Sequence, residues 1–246
     1  MKICVLGDKA YYKRILPDNT RVDSPDVVFL GRGATNDEVV AAMPDAQILI
    51  ADAIAEVNAD LIERLPRLAL IQSEGVSYNS FDCACAAEHG IFVCNNAGMN
   101  AGAVAEQTIL LMLGLLRSVT TSDAAVRQGR QMEVKTRFMR EGITDLADCT
   151  VGLVGMGAIA QATAARLAAF GCRVLYANRS RKSAELERKL GVEYAGLDGL
   201  LAGSDIVSLH CAVTPETTGM VDAPFLAKMR KGSYLVNTAR GQLVNN

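Results

Sequence analysis

Residues 151–182, VGLVGMGAIAQATAARLAAFGCRVLYANRSRK, decide the fold of this chain. A short apolar run ends at Val154 and leads into Gly155-x-Gly157-x-x-Ala160. A helical pattern then continues to a second apolar run, Arg173–Ala177. A strand, a glycine turn, a helix and a second strand in this order form the unit that holds a dinucleotide. We therefore predict a nucleotide-binding turn, the alternative being a glycine turn that serves packing alone.

Each position of the turn has a physical reason. Gly155 permits the tight turn, Gly157 lets the backbone approach a pyrophosphate, and Ala160 is small enough for the helix to pack closely on the strand. The helix N-terminus adds N–H groups and the positive end of its dipole. The turn residues predicted to bind the cofactor are Gly155, Met156, Gly157, Ala158 and Ile159. The residues predicted to lie on one face of this helix are Ile159, Thr163, Leu167 and Phe170.

The end of the second strand indicates which dinucleotide binds. An NAD site usually has an acidic residue about 20 positions beyond the glycines, bonded to the ribose 2′-hydroxyl. Here that place is taken by Asn178, which is neutral, and Arg179, Ser180 and Arg181 follow it. Guanidinium groups and a hydroxyl suit a 2′-phosphate, which a carboxylate would repel. We predict that NADP(H) is preferred and NAD is possible; the alternative is a solvated basic loop before the next helix.

Composition narrows the class of protein. The chain has 246 residues, 50% of them hydrophobic, and a formal net charge of −2, which gives no reason to expect nucleic acid or membrane partners. The first apolar run is too short for a secretory signal, and no uninterrupted run of 18 apolar residues occurs. Seven scattered cysteines and two histidines argue against a disulfide framework and a metal site. We expect a reducing cytoplasm.

Short apolar runs alternate with helical patterns along the chain, which predicts an α/β fold with two doubly wound parallel-sheet domains. Thr35 and Glu38 have the spacing of a capping box. A turn cluster ending at Gly98 is the candidate hinge, a buried helix is predicted over 103–117, and residues 118–149 look polar and irregular. The strands predicted before the hinge are Lys2–Leu6, Asp26–Leu30, Ala46–Ala51, Leu68–Ser73 and Ile91–Asn95.

Three further blocks accompany the dinucleotide unit. They read GVSYNSFD (75–82), NAGAVAEQTILLMLGLLR (100–117), and SDIVSLHCAVTPETTGMV with KMRKGSYLVNTARGQLVN (204–245). With these blocks in this order, the chain resembles the D-isomer-specific 2-hydroxyacid dehydrogenases, which include glyoxylate/hydroxypyruvate reductases. The resemblance implies a flavodoxin-like substrate domain over 1–98 and a Rossmann NAD(P)-binding domain over 99–246.

The resemblance also implies roles for individual residues. Arg240 corresponds to the arginine that binds the substrate carboxylate and keto oxygen, and a guanidinium fork suits a carboxylate. The substrate-binding residues implied are Gly75, Val76, Ser77 and Asn100. His210 is expected beside the cofactor rather than as the catalytic acid. The other cofactor-binding residues implied are Thr108, Thr214, Thr238 and Ala239.

Some positions depart from the family pattern, and they put the choice of substrate in doubt more than the reaction. Ser77 stands where glycine is usual, Asn79 where aspartate is usual, Gln107 where histidine is common and Ala212 where proline is common. The family's catalytic histidine and its glutamate partner are expected beyond Asn246, so the chain looks C-terminally incomplete, its Rossmann domain truncated and its own activity impaired.

The sequence as a whole predicts an NADPH-preferring oxidoreductase that reduces a small 2-oxo acid, such as glyoxylate or hydroxypyruvate, to the D-2-hydroxy acid. A homodimer through residues 103–146 is expected, with no nucleic acid or membrane partner. One alternative is a catalytically impaired NAD(P)-binding sensor or remnant protein, which would have no need of Arg240 as a carboxylate clamp. Another is a different Rossmann enzyme that acts on amino acids, which the 75–82 and 236–241 segments disfavour.

Overall fold

The computed structural model describes residues 1–52 and 54–245, and it divides into two compact units, Met1–Met99 and Asn100–Asn246. Each unit contains a five-stranded sheet whose strand pairs are all parallel. The predicted α/β class with two doubly wound parallel sheets is therefore confirmed. The unit boundary lies next to Gly98, whose φ of 78° suits a glycine.

The first unit has the strand order β2-β1-β3-β4-β5, which is that of flavodoxin-like folds. Its elements are β1 (Ile3–Leu6), α1 (Lys9–Ile15), β2 (Val27–Leu30), α2 (Asn36–Ala42), β3 (Ile48–Ala51), α3 (Ala59–Glu63), β4 (Leu70–Ser73), α4 (Cys83–Glu88) and β5 (Phe92–Cys94). All five predicted strands are present and are one to two residues shorter at one or both ends, because the flanking residues lie outside the ladder.

Helix starts in the first unit follow capping chemistry. The capping box at Thr35 is confirmed: Thr35 Oγ1 accepts from Glu38 N at 3.3 Å, and Glu38 Oε2 accepts from Thr35 N at 2.7 Å. Helix α1 was not among the predicted elements. It begins after Asp8, whose carboxylate accepts a hydrogen bond from Ala10 N at 2.8 Å.

The second unit has the order β10-β9-β6-β7-β8, the arrangement of a dinucleotide-binding sheet. Its strands are β6 (Thr150–Val154), β7 (Arg173–Ala177), β8 (Val192–Tyr194), β9 (Ile206–Leu209) and β10 (Tyr234–Asn237). Its helices are α5 (Ala101–Leu116), α6 (Val119–Arg127), α7 (Gln131–Glu141), α8 (Ala158–Phe170), α9 (Ala184–Leu190), α10 (Leu197–Gly203) and α11 (Ala223–Lys228), with 3-10 turns at Leu146–Asp148 and Gly241–Leu243. Apolar clusters cover both faces of this sheet.

The expectation that residues 118–149 are irregular was wrong, because α6 and α7 occupy most of that segment. Helix α7 buries none of its residues in a core, and its apolar side chains, such as Val134 and Phe138, line a groove beside α6. Its residues are mostly good helix formers. Ion pairs at helical spacing add to this: Arg127 with Asp123 at 2.8 Å, and Arg130 with Glu133 at 3.0 Å.

Two predicted helix faces needed correction. In α8 the buried residues are Ala160, Thr163, Ala164 and Leu167, whereas Phe170 is 39% exposed. Phe170 is the last helical residue before Gly171, at the edge of the packed surface. Helix α5 is buried on one side only, through Ala105, Thr108, Ile109 and Met112. Its other side leaves Leu110 60% exposed, so the helix expected to be buried presents an apolar face.

Among the described residues, no helix taken singly has both the length and the apolar character needed to cross a membrane. Helices α5 and α6 meet that length and composition only as a pair, and the pair is bent by 64°.

Candidate nucleotide and substrate site

The turn after β6 requires a glycine at position 155 for two reasons. Gly155 has a φ of 102°, a conformation that residues with a side chain rarely adopt. A Cβ at this position would also lie 2.8 Å from the carbonyl carbon and oxygen of His210, at the end of the neighbouring strand β9. The ends of β6 and β9 can therefore approach this closely only because residue 155 has no side chain.

Gly157 leaves space at the start of α8. A Cβ placed on Gly157 would meet nothing within 4 Å, so the backbone there is open to a ligand. Gly157 is the N-cap of a 13-residue helix and no side chain caps it, which leaves the first N–H groups for an anion. Ala160 is fully buried, in agreement with its predicted packing role. The turn fits the pyrophosphate of a dinucleotide.

A cavity of about 640 Å³ opens beside this turn, at the carboxyl ends of β6, β7 and β9. Seven predicted cofactor residues line it: Gly155, Met156, Gly157, Asn178, Arg179, His210 and Thr214. Ala158, Ile159, Ser180, Arg181, Thr108, Thr238 and Ala239 are not among its lining residues. Sequence reasoning missed the other lining residues, among them Tyr194, Leu197, Glu216 and Thr217. The signal that could have found two of them is position, because Tyr194 ends β8 and Glu216 lies in the loop after β9.

Asn178 braces the turn from the position where an acidic residue is usual. Its Oδ1 accepts from Met156 N at 3.2 Å, and its Nδ2 donates to Ser180 O at 2.8 Å. Both ends of the side-chain amide are thus bonded to the backbone. The residue fixes the glycine-rich turn relative to the end of β7, and it places no negative charge in the cavity.

The two arginines after Asn178 have different surroundings. Arg179 lines the cavity, whereas Arg181 donates to Glu187 through Nε at 2.9 Å and through Nη2 at 2.8 Å. Tyr176 also donates to Glu187 Oε1, at 2.6 Å. The Arg181 guanidinium and the Tyr176 hydroxyl lower the pKa of Glu187 to about 2, so this carboxylate is ionised and the pair persists at neutral pH.

His210 faces the cavity as a neutral ring. Burial lowers the pKa of His210 from 6.5 to about 4, because the protein interior disfavours the charged imidazolium. Its Nε2 lies 3.0 Å from Ser208 Oγ, which orients the ring. This placement agrees with a residue that packs beside a cofactor, and a ring with this pKa is not in the imidazolium form that could act as a general acid at neutral pH.

The loop after β10 is held from two sides. Thr108 of α5 is fully buried, and its hydroxyl lies 2.9 Å from that of Thr238. Asn237 Oδ1 accepts from Ala239 N at 3.0 Å, and Asn237 Nδ2 donates to Arg240 O at 2.8 Å. Thr108 and Thr238 therefore position this loop.

The Arg240 guanidinium stands at the surface of the second unit. Its side chain is exposed, and Nη1 donates to the carbonyl oxygen of Ala239 at 2.8 Å. Within the described chain, this is the one hydrogen bond that the guanidinium makes. Its other N–H groups are available to a carboxylate, which a planar fork can hold at two points.

In the first unit, side-chain hydrogen bonds shape the Gly75–Ser77 loop. Ser73 Oγ donates to Ser77 O at 2.6 Å, and Asn95 Nδ2 donates to Val76 O at 2.7 Å. The N–H groups of Val76 and Ser77 donate to no atom in the described ranges, so they can bind an anion. The backbone of Ser77 does not have a positive φ, so a serine is accommodated where glycine was expected.

Asn100 begins helix α5 and leaves its own side chain unused there. It is the N-cap residue, yet its amide makes no capping hydrogen bond. The side chain is exposed and therefore available to a ligand.

Comparison with known proteins gives a consistent family. A family model described as "D-isomer specific 2-hydroxyacid dehydrogenase, NAD binding domain" matches residues 109–246. Glyoxylate reductase of Aeropyrum pernix is 38% identical over 192 residues, covering 77% of this chain and 57% of that protein. D-3-phosphoglycerate dehydrogenase of Mycobacterium tuberculosis is 35% identical over 217 residues, covering 87% of this chain and 39% of that protein. The chain spans 39% to 62% of the length of such curated relatives.

Solved structures agree with the fold. D-mandelate dehydrogenase from Rhodotorula graminis matches all of this chain and 75% of its own, with a TM-score of 0.83 and 26% identity. D-lactate dehydrogenase from Aquifex aeolicus, complexed with NAD and lactic acid, matches all of this chain and 71% of its own, with a TM-score of 0.81 and 25% identity.

Proposed function

The chain belongs to the D-isomer specific 2-hydroxyacid dehydrogenase family, and we propose that it acts as an NADPH-preferring reductase of a small 2-oxo acid. The product would be the D-2-hydroxy acid, with glyoxylate or hydroxypyruvate as substrate. One observation carries the proposal: an exposed, nearly unpartnered Arg240 guanidinium follows β10 of the sheet whose glycine-rich turn opens onto the nucleotide-sized cavity.

The preference for NADPH rests on charge. The end of β7 offers Asn178 in place of a carboxylate and puts Arg179 in the cavity lining. A guanidinium favours a 2′-phosphate, and the missing carboxylate removes the usual partner of a 2′-hydroxyl. NAD(H) remains a possible cofactor, since the matching family model describes an NAD-binding domain.

The backbone of residues 155–159 would bind the pyrophosphate through the open start of α8. When bound, NADPH supplies the hydride that reduces the keto carbon. Arg240 would hold the carboxylate of the acid and stabilise the negative charge that develops on the keto oxygen. We also propose Gly75, Val76 and Ser77 of the first unit and Asn100 of the second unit as substrate-binding residues: Val76 and Ser77 would offer their backbone N–H groups to the carboxylate, and Asn100 would offer its side-chain amide. The former keto oxygen takes up a proton when the keto group is reduced. Because His210 is neutral, we do not propose it as the donor of that proton.

We also propose a homodimer through residues 103–146. Helix α5 carries a row of exposed leucines, and a mostly apolar groove of about 460 Å³ lies between α6 and α7. The exposed apolar side chains of this segment include Leu110, Leu111, Leu115, Val119, Val126, Met132, Met139 and Ile143. A contiguous apolar surface of this kind is commonly covered by a partner.

The test separates binding from turnover. NADPH binding is measured by calorimetry, and turnover by the loss of NADPH absorbance with glyoxylate, hydroxypyruvate and pyruvate in turn. We expect NADPH binding and a low turnover of at least one acid, in keeping with the impaired activity expected of this chain; Arg240→Ala should abolish that turnover, while Arg188→Ala, an exposed arginine on α9, should leave it unchanged. Binding without turnover would favour the alternative of a nucleotide sensor, and absence of binding would refute the proposal.

A further inference from the structure

Two charged side chains line the nucleotide cavity in the described part of the chain. They are Arg179, after β7, and Glu216, in the loop after β9. The other ionisable groups of the lining are neutral at physiological pH: burial lowers the pKa of His210 to about 4 and raises the pKa of Cys211, and a tyrosine hydroxyl is normally protonated. The charge balance of the cavity therefore depends on one guanidinium and one carboxylate.

Arg181 does not enter this balance. The Nε–Nη2 edge of its guanidinium donates to both carboxylate oxygens of Glu187, and the guanidinium lies 5.6 Å from the centre of the Tyr194 ring. Tyr194 lines the cavity and packs edge-on against Tyr176 at 5.4 Å. Arg181 thus supports the cavity wall through Tyr194, and its positive charge is already neutralised by a carboxylate.

The loop that carries Glu216 is held in place by its threonines. Thr217 Oγ1 accepts from Thr214 N at 2.8 Å and donates to Ala212 O at 2.7 Å. Thr218 Oγ1 donates to Thr214 O at 2.8 Å. Hydrogen bonding from Thr214 and the positive charge of Arg179 lower the pKa of Glu216, so the carboxylate is ionised at neutral pH. A fixed loop therefore holds a negative charge in the lining of the cavity that Arg179 also lines.

From this arrangement we propose that Glu216 is a specificity-determining residue, which acts as the counter-charge of Arg179 and weakens the binding of a 2′-phosphate. The inference rests on the proposed nucleotide function of the cavity. A 2′-phosphate bound by Arg179 would share the cavity with the like charge of Glu216 and compete with it for the attraction of the guanidinium, whereas an uncharged 2′-hydroxyl meets neither cost. Glu216 therefore lowers the discrimination between NADPH and NADH, and Arg181 acts only as a positioning residue.

The experiment measures the dissociation constants of NADPH and NADH for the full 246-residue chain and four variants. Glu216→Gln should tighten NADPH by about two- to fivefold and leave NADH unchanged, as expected for removal of a like charge from the same cavity. Arg179→Gln should weaken NADPH by about ten- to a hundredfold, with a much smaller effect on NADH. Arg181→Lys should change both constants by the same factor, because it acts through the cavity wall.

Glu185→Gln is the matched control, since it removes an equal charge from an exposed residue on α9 that does not line the cavity. Equal effects of Glu216→Gln and Glu185→Gln on NADPH, or equal effects of Glu216→Gln on the two nucleotides, would overturn the inference. A larger loss of NADPH selectivity in Arg181→Lys than in Arg179→Gln would do the same. Failure of the unaltered chain to bind either nucleotide would refute the proposed function instead.

Discussion

The hydroxyl oxygens of Thr108 and Thr238 lie 2.9 Å apart and join helix α5 to the loop that carries Arg240. Thr108 also donates to Val104 O at 2.8 Å, so a fully buried threonine has both of its hydrogen-bonding roles filled. The position of the proposed carboxylate-binding arginine thus depends on a helix far away in the sequence.

Replacing Thr108 with valine keeps the shape of the side chain and removes its hydroxyl. Thr238 then loses a buried partner, and we expect the free energy of unfolding to fall by about 1–3 kcal/mol. The KM for the 2-oxo acid should rise because the Arg240 loop is less well fixed. Urea unfolding and steady-state kinetics check this, with Thr108→Ser as the control that keeps the hydroxyl. Equal stability of the valine and serine variants would contradict the assigned role.

Alanine at position 155 should mainly lower stability, whereas alanine at position 157 should mainly weaken NADPH binding. Gly155→Ala places a methyl group against the His210 carbonyl and forces a residue with a side chain into a positive φ. We expect a loss of roughly 2–4 kcal/mol in unfolding free energy. Gly157→Ala meets no protein atom, so it should cost less than about 1 kcal/mol and still weaken NADPH binding by occupying the path of the pyrophosphate. Thermal unfolding and calorimetric titration separate the two outcomes.

The buried His210 predicts a loss of stability in mild acid. Its pKa is about 4 in the folded chain and near 6.5 when unfolded, so the unfolded state binds the proton first as the pH falls. Stability should therefore decline from pH 6.5 down to about pH 4 and then level off with respect to this group, by roughly 3 kcal/mol at most. His210→Gln should remove this part of the pH dependence. Urea unfolding across that range in both proteins is the measurement, and parallel curves would argue against a buried neutral ring.

The exposed leucines of α5 can be tested as a dimer contact. Leu110 is 60% exposed, so aspartate there should cost the folded monomer little and disfavour burial against a second copy. Light scattering coupled to size exclusion should show a dimer for the unaltered chain and a monomer for Leu110→Asp. Ile15→Asp, at an exposed position of the first unit, should remain dimeric. A monomeric unaltered chain would refute the dimer proposal.

The strands were predictable from sequence for a simple reason. A strand buried on both faces of a parallel sheet appears as a continuous apolar run, and β6 and β9 are buried almost throughout. Helix α7 has no such continuous apolar run and buries no residue, although most of its residues are good helix formers. The glycine-rich turn was recognisable because its spacing reflects a backbone requirement that few other residues meet.

The site was harder to predict where it depends on contacts between side chains. Nothing in the segment Asn178–Arg181 indicates that the second arginine is bound by Glu187, six residues further along, with Tyr176 from the preceding strand. Glu216 lies in a loop whose role follows only from where β9 ends. Sequence alone identifies which residue types lie near a ligand. Hydrogen bonds and ion pairs between those residues, which only the structure shows, decide which side chains are free to bind the ligand.

The Arg181–Glu187 pair has a consequence for engineering the cofactor choice of related enzymes. A graft of the four residues 178–181 into an NAD-dependent scaffold would transfer two arginines, but the carboxylate that restrains one of them lies outside the graft. In the recipient, that arginine would be free to swing toward the nucleotide or toward any nearby acid. Moving Tyr176 and Glu187 together with the loop would keep the donor's geometry, so the unit to transplant is the network and not the tetrapeptide.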